Sequence, residues 1–243
     1  IMASTSEVGH AKNVANFQDL IEFVIGYGET YNPSKNSLKL PQLIALRETA
    51  QTKLNDVIAK NTIYNNKVNE RMVAFGNLKS FSTRLVNALQ TTDATNETIN
   101  NAKTFNRKMQ GKKASTTQAS TDPNAPAPAT ISTSQQSYDQ LIQHLTGLKS
   151  VLETEPSYTP NEIELQIATI DSKIADLSAK NTAVATAYTN ISNSRISRNE
   201  TLYTNENGIY ETASEVKKYI KSVFGASSPQ YNQVSGIKFS KPR

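Results

Sequence analysis

The sequence predicts an all-α protein, an elongated helical bundle of two pseudo-repeated units whose long helices run antiparallel. Three observations carry this prediction. Residues 53–62 return as residues 173–182, with Lys53, Asp56, Ala59, Lys60, Asn61 and Thr62 recurring unchanged, while Leu54 and Val57 become Ile174 and Leu177. Apolar residues follow a heptad-like series through long stretches without proline, the pattern of helices packed at a shallow angle. A stretch dominated by Ser, Thr, Ala and Pro, with almost no apolar content, separates the halves at residues 113–134.

Residues 11–28 read as a helix with Val14, Phe17, Leu20, Ile21, Val24 and Ile25 on one face, ending at Gly26 and Gly28. Asn32-Pro33-Ser34 then marks a turn. Pro41, in a position that a first helical turn tolerates, opens a series of about fifty residues, counted by periodicity alone. Leu43, Ala50, Val57, Tyr64, Leu78 and Leu85 take one place in its repeat, and Leu54, Val68, Phe75 and Leu89 take the other. Gly76 lies inside it and costs a continuous helix roughly 1 kcal/mol. A third helix is expected over 94–109.

The second half repeats this order. A helix over 135–151 begins with Tyr138-Asp139-Gln140-Leu141-Ile142, similar to Phe17-Gln18-Asp19-Leu20-Ile21, and Tyr158-Thr159-Pro160 parallels Tyr31-Asn32-Pro33. Ile163, Ile170, Leu177, Val184 and Ile191 then form one seam position, with Ile167, Ile174, Tyr188, Leu202 and Ile209 in the other. At ~1.5 Å per residue, each long helix would span on the order of 65 to 75 Å. A last helix is expected over 211–223. The division along the chain is therefore 1–112, a linker 113–134, 135–225, and a basic segment 226–243 whose Tyr231, Ile237 and Phe239 predict docking on the bundle or on a neighbour.

Composition narrows the chemistry. The chain has 243 residues and no cysteine, which removes disulfides, thiolate zinc sites and cysteine nucleophiles. It has no apolar run long enough to span a membrane. Residues 1–12 show neither a basic nor an apolar signal region, so a soluble, cytoplasmic protein is expected. His10 and His144 are its two histidines, and neither has a metal-ligand partner at helical spacing. No phosphate loop, nucleophile elbow or zinc spacing occurs. A non-enzymatic chain without cofactor or metal follows as the expectation.

Two sets of residues stand out as candidate sites. Asn61 and Asn181 fall in the apolar seam at matching places of the repeated stretch, where paired amides would fix register because a misaligned pairing leaves an amide unsatisfied. An open seam with both amides in water is the simpler alternative. Charge is the second set: residues 1–120 hold 15 basic and 9 acidic side chains, and residues 121–243 hold 11 and 12. Lys103, Arg107, Lys108, Lys112 and Lys113 form a run without an acid, and Lys217, Lys218 and Lys221 follow the last acid, Glu215. Basic helix C-termini favour the helix dipole; a phosphate-facing or acidic-partner patch is the functional reading.

Further marks are Gly9-His10-Ala11-Lys12-Asn13-Val14-Ala15-Asn16-Phe17, Phe105-Asn106-Arg107-Lys108-Met109-Gln110-Gly111-Lys112 and Val216-Lys217-Lys218-Tyr219-Ile220-Lys221-Ser222-Val223-Phe224-Gly225. With Tyr27-Gly28 and Tyr31-Asn32-Pro33-Ser34, these resemble a set of uncharacterised helical proteins of Bacteroidota-type bacteria. The resemblance implies a bacterial origin and supports the boundaries above. The expected function is a structural or protein-interaction scaffold that self-associates as a homo-oligomer or binds a protein partner. Its alternative is a nucleic-acid or anionic-surface binder using the basic runs.

Overall fold

Apolar helix faces need partners, and here they find them in two separate cores. The computed structural model describes residues 6–111 and 136–241, so the linker, Lys112 and Lys113 lie outside the described residues. Every regular element among the described residues is helical: α1 (Ser6–Gly26), α2 (Leu40–Phe75), α3 (Leu78–Leu89), α4 (Asn96–Gln110), α5 (Tyr138–Glu153), α6 (Ile167–Tyr203), α7 (Ile209–Phe224) and α8 (Pro229–Ser235), with short 3₁₀ turns before α2 and α6. No helix among them is long and apolar enough to cross a membrane.

Packing does not follow the division along the chain. Unit 1 comprises Ile1–Tyr64 with Ala187–Arg243, and unit 2 comprises Asn65–Thr186. Both α2 and α6 therefore supply residues to each unit. The core of unit 1 joins Val14, Phe17, Leu20, Ile21 and Val24 of α1 to Leu43, Ala50 and Leu54 of α2, Leu202 of α6, and Ile209, Val216 and Ile220 of α7. Ile25, expected on the same face as its neighbours, is instead 46% exposed. The core of unit 2 joins Phe75, Leu78, Phe81, Leu85 and Leu89 to Met109 of α4, Leu145, Leu148 and Leu152 of α5, and Ile170 and Leu177 of α6.

The run of about fifty helical residues expected from periodicity alone is broken. α2 ends at Phe75, Gly76 and Asn77 form a turn, and α3 starts afresh at Leu78. The apolar series passes through this break because Leu78, Phe81, Leu85 and Leu89 are all needed in the core of unit 2. α2 then spans 36 residues and α6 spans 37, roughly 55 Å each at the helical rise, shorter than expected. The series in the second half breaks the same way. Leu202 lies in the last turn of α6 and Ile209 opens α7, both fully buried, with Gly208 between the two helices. A Cβ on Gly208 would meet the backbone N and O of Thr204 at 2.7 Å, so any side chain there must displace backbone. Ile163, expected in the seam, lies in the 3₁₀ turn ahead of α6 and is 73% exposed.

The turns entering α2 and α6 are built alike. The buried Tyr31 hydroxyl donates to the Leu38 carbonyl at 2.8 Å, and the Tyr158 hydroxyl donates to the Leu165 carbonyl at 2.9 Å. Each bond closes the loop over a 3₁₀ turn, Asn36–Leu38 or Ile163–Leu165, whose last residue is buried. Burial, and then the charge of Glu162, push the Tyr158 hydroxyl up to about 12, and burial raises Tyr31 as well.

Gly208→Ala should cost about 1–3 kcal/mol through overpacking against backbone, read as a lower midpoint in urea. The buried tyrosines set a second expectation. Because they ionise near pH 10 in the unfolded chain and later when folded, the unfolded state binds fewer protons in that window and stability falls as pH rises from about 10 toward 12. Following tyrosinate absorbance, Tyr158→Phe should remove a late-titrating component; a titration unchanged by the substitution contradicts the assignment.

Candidate functional site

Among the described residues two polar centres, one in each unit, tie together segments far apart in the chain. In unit 2 the centre is Arg71, in the last part of α2. Its guanidinium carbon lies 4.1 Å from the ring centroid of Tyr138, the first residue of α5, and its Nη1 donates to Asn181 Oδ1 of α6 at 2.8 Å. Asn181 Nδ2 donates in turn to Asp139 Oδ1 at 2.7 Å. The Tyr138 ring meets Phe75 edge-on at 4.7 Å. Ser137 caps α5 by accepting from the Gln140 N–H, which places the Asp139 carboxylate in a first turn that favours negative charge. Beside this set Glu70 accepts from Lys67 at 2.8 Å and from Lys180 at 3.1 Å. Those two hydrogen bonds, Lys67 first, hold its carboxyl below the usual range.

In unit 1 the polar centre holds down the end of the chain. After α7, Ser228 caps α8, Val234 is fully buried, and Ile237 and Phe239 pack against the core. The segment is fastened mainly through its backbone. Asn13 of α1 donates from Nδ2 to the Ser240 carbonyl at 2.7 Å and accepts the Ser240 N–H on Oδ1 at 3.1 Å. Asn16, one turn on, donates to the Lys238 carbonyl at 2.6 Å. Tyr27 donates to the Gln230 carbonyl at 2.9 Å, and Lys217 of α7 donates to the Ile237 carbonyl while its ammonium lies 5.4 Å above the Phe239 ring. Behind Asn13 the Tyr203 hydroxyl accepts from Asn13 Nδ2 at 3.1 Å and shares a hydrogen bond of 2.6 Å with Nδ1 of buried His10.

The residues singled out by sequence divide between these places. Asn61 is exposed on α2 and Asn181 is half-buried in the Arg71 set. Counted from the first residue of its helix, Asn61 stands 21 residues on (61 less 40) and Asn181 stands 14 on (181 less 167). Their places in the two helices differ by one heptad. Lys217 is an internal clamp, and burial lowers its ammonium below the usual lysine range. Lys221 lies 5.6 Å over the Tyr231 ring, and Lys218 is exposed. Lys103, Arg107 and Lys108 lie on α4; Arg107 and Lys108 occupy its last turn, where the helix dipole favours them. Lys112 and Lys113 lie outside the described residues.

Sequence reasoning missed Arg71, Tyr138, Asp139, Asn13 and Asn16. Asn13 and Asn16, three residues apart beside the apolar stripe of α1, were the one available signal. His144 of α5 is 9% exposed, and its Nε2 is buried without a hydrogen-bond partner among the described residues. Burial, then the charge of Lys108, lower its imidazole from the usual range. A polar cleft of about 530 Å³ lies in unit 2 between the end of α3 and the loop before α6, lined by Thr91, Thr92, Asp93, Ser157, Asn161 and Glu162. Its Thr91 and Thr92 hydroxyls already donate to the Ala88 and Leu89 carbonyls. Among the described residues no group of three or more His, Asp or Glu is placed to hold a metal ion. Both polar centres can orient helices and backbone: Asn181 bonds Asp139, Glu70 accepts from Lys67 and Lys180, and Asn13 and Asn16 bond main-chain atoms. No protein-family model, curated protein or solved structure matches the chain.

Because His144 is buried neutral, the unfolded chain binds the extra proton first, and stability should fall as pH drops below about 6.5. His144→Leu removes a polar atom without a partner and should be neutral or stabilising at pH 7. It should also flatten the acid side of the stability profile, measured by urea unfolding across pH. A large loss at pH 7 argues against this account of His144.

Proposed function

We propose that this chain is a non-enzymatic structural or protein-interaction protein, a self-associating helical scaffold of two pseudo-equivalent halves with antiparallel long helices. The observation that carries the reading is the large apolar surface left on the long helices. In unit 1 Ile58 is 65% and Tyr188 59% exposed; in unit 2 Met72 is 57% and Val73 75% exposed. Scattered apolar residues on a surface are ordinary. These four sit on helices that already fill a core, Ile58 and Tyr188 one turn from the buried Leu54 and Val184, and a further helix or a second copy packing alongside would cover them.

The paired halves draw support from landmarks that recur at one spacing. Tyr31 and Tyr158, Leu38 and Leu165, and the starts of α2 and α6 at Leu40 and Ile167 are each 127 residues apart (158 less 31, for instance). The antiparallel sense draws support from unit 2, where Glu70 of α2 meets Lys180 of α6 and Asn77, just past the end of α2, meets Lys173, earlier on α6. Asn181 then sets register through Arg71 and Asp139, because a shifted pairing would strand the guanidinium among apolar neighbours. The same reading places the chain in the bacterial helical family that it resembles. The alternative, an anionic-surface or nucleic-acid binder, draws on Lys103, Arg107 and Lys108 of α4, and its affinity would fall steeply with salt.

Light scattering tests the leading reading. A particle heavier than the 26.7 kDa chain is expected, and Ile58→Lys or Val73→Lys should lower its mass while helical circular dichroism is retained. A monomer at every concentration removes it.

A further inference from the structure

The surface of unit 1 that holds residues 237–241 has the chemistry of a peptide site rather than of an ordinary packing face. Residues 237–241 have no regular secondary structure, and every residue from Ile237 to Ser240 except Phe239 is held by a main-chain atom. Asn13 bonds both the N–H and the C=O of Ser240, Asn16 takes the Lys238 carbonyl, and Lys217 takes the Ile237 carbonyl. Side-chain recognition comes from the packing of Ile237 and Phe239, two residues apart, against the core. A cation lies over the second of them, and Lys241 is held by Glu211 at 3.0 Å over the Tyr210 ring. Main-chain bonds supply affinity and alternate side chains supply selectivity, as in other modes of extended-peptide capture. Gly225, at φ 93°, and the exposed Ala226 and Ser227 join α7 to α8, and residues 237–241 follow α8.

We propose that the α1/α7 surface, with Asn13, Asn16 and Lys217, is a binding site for an extended segment with apolar residues at alternate positions. Its resting occupant is the chain's own residues 237–241, and its incoming occupant is the same segment of a second copy. Exchange of an identical element costs little, because every contact made within one copy is remade between two. The proposal rests on the self-association reading and gives it a route. The cis segment competes with any incoming one, so the intact chain shows only the affinity left by the fraction of sites that stand open.

The test uses the full chain and a fluorescent peptide of residues 233–241. Phe239→Ala loosens the cis occupant, so this variant should bind the peptide at least about tenfold more tightly than the unsubstituted chain, by relief of that competition. Adding Asn13→Ala and Asn16→Ala to it should abolish binding, and a peptide with Ser in place of its Phe should not bind. Circular dichroism and the melting midpoint establish that each variant is folded. Folded Phe239→Ala protein that captures no peptide overturns the proposal, as does capture that ignores Asn13 and Asn16. Peptide capture by a chain that light scattering finds monomeric leaves the site standing and removes self-association. A heavier particle without capture does the reverse.

Discussion

Each long helix has to satisfy two cores, and this constraint organises the molecule. α2 gives Leu43, Ala50 and Leu54 to one core and Phe75 to the other; α6 gives Ile170 and Leu177 to one and Leu202 to the other. The short helices cover the faces that result. In unit 1 these are α1, α7 and α8, and in unit 2 they are α3, α4 and α5. Burial of apolar area is the dominant favourable contribution in such cores, and the turns at Gly76 and Gly208 exist because the apolar series outlasts what one straight helix can bury.

The polar centres do work that apolar packing leaves undone. Leucine, isoleucine and valine fill space without fixing direction or register, since heptad-shifted packings bury similar area. Charged and amide groups are less forgiving, because an unmade bond at a buried group costs more than a made one returns. Arg71 engages α5 through Tyr138 and α6 through Asn181 at once, and Gly147 of α5 lies so close to Phe105 of α4 that a Cβ would come within 2.3 Å of the ring. These contacts specify one arrangement within unit 2. In unit 1 Asn13 has the same role, joining Tyr203 of α6 to the backbone at Ser240.

Much of this was legible in the residues. Phe17, Leu20 and Val24 announced α1, and Tyr31 and Tyr158 announced matching turns. Ile237 and Phe239 announced a docked end. The surroundings of Asn61, which is exposed, and of Asn181, which bonds Arg71 and Asp139, were not legible. The matched decapeptides are 120 residues apart, whereas the turns and helix starts are 127 apart, and the difference of one heptad leaves an apolar repeat looking unchanged. Lys217 read as a surface cation because a lysine's place in sequence does not show which carbonyl its flexible stem will reach.

By itself the sequence determined local matters: helical periodicity, the turns at Tyr31-Asn32-Pro33 and Tyr158-Thr159-Pro160, and which side of each helix must leave water. These follow from interactions within a few residues, which the order of the chain states directly. Only the tertiary structure decided that residues 6–64 pack with residues 187–241, which heptad of α6 meets Arg71, and that Asn13 holds a backbone 227 residues away. Such choices depend on shape and hydrogen bonding between distant segments, and a repeating pattern of similar apolar side chains permits several of them until packing selects one.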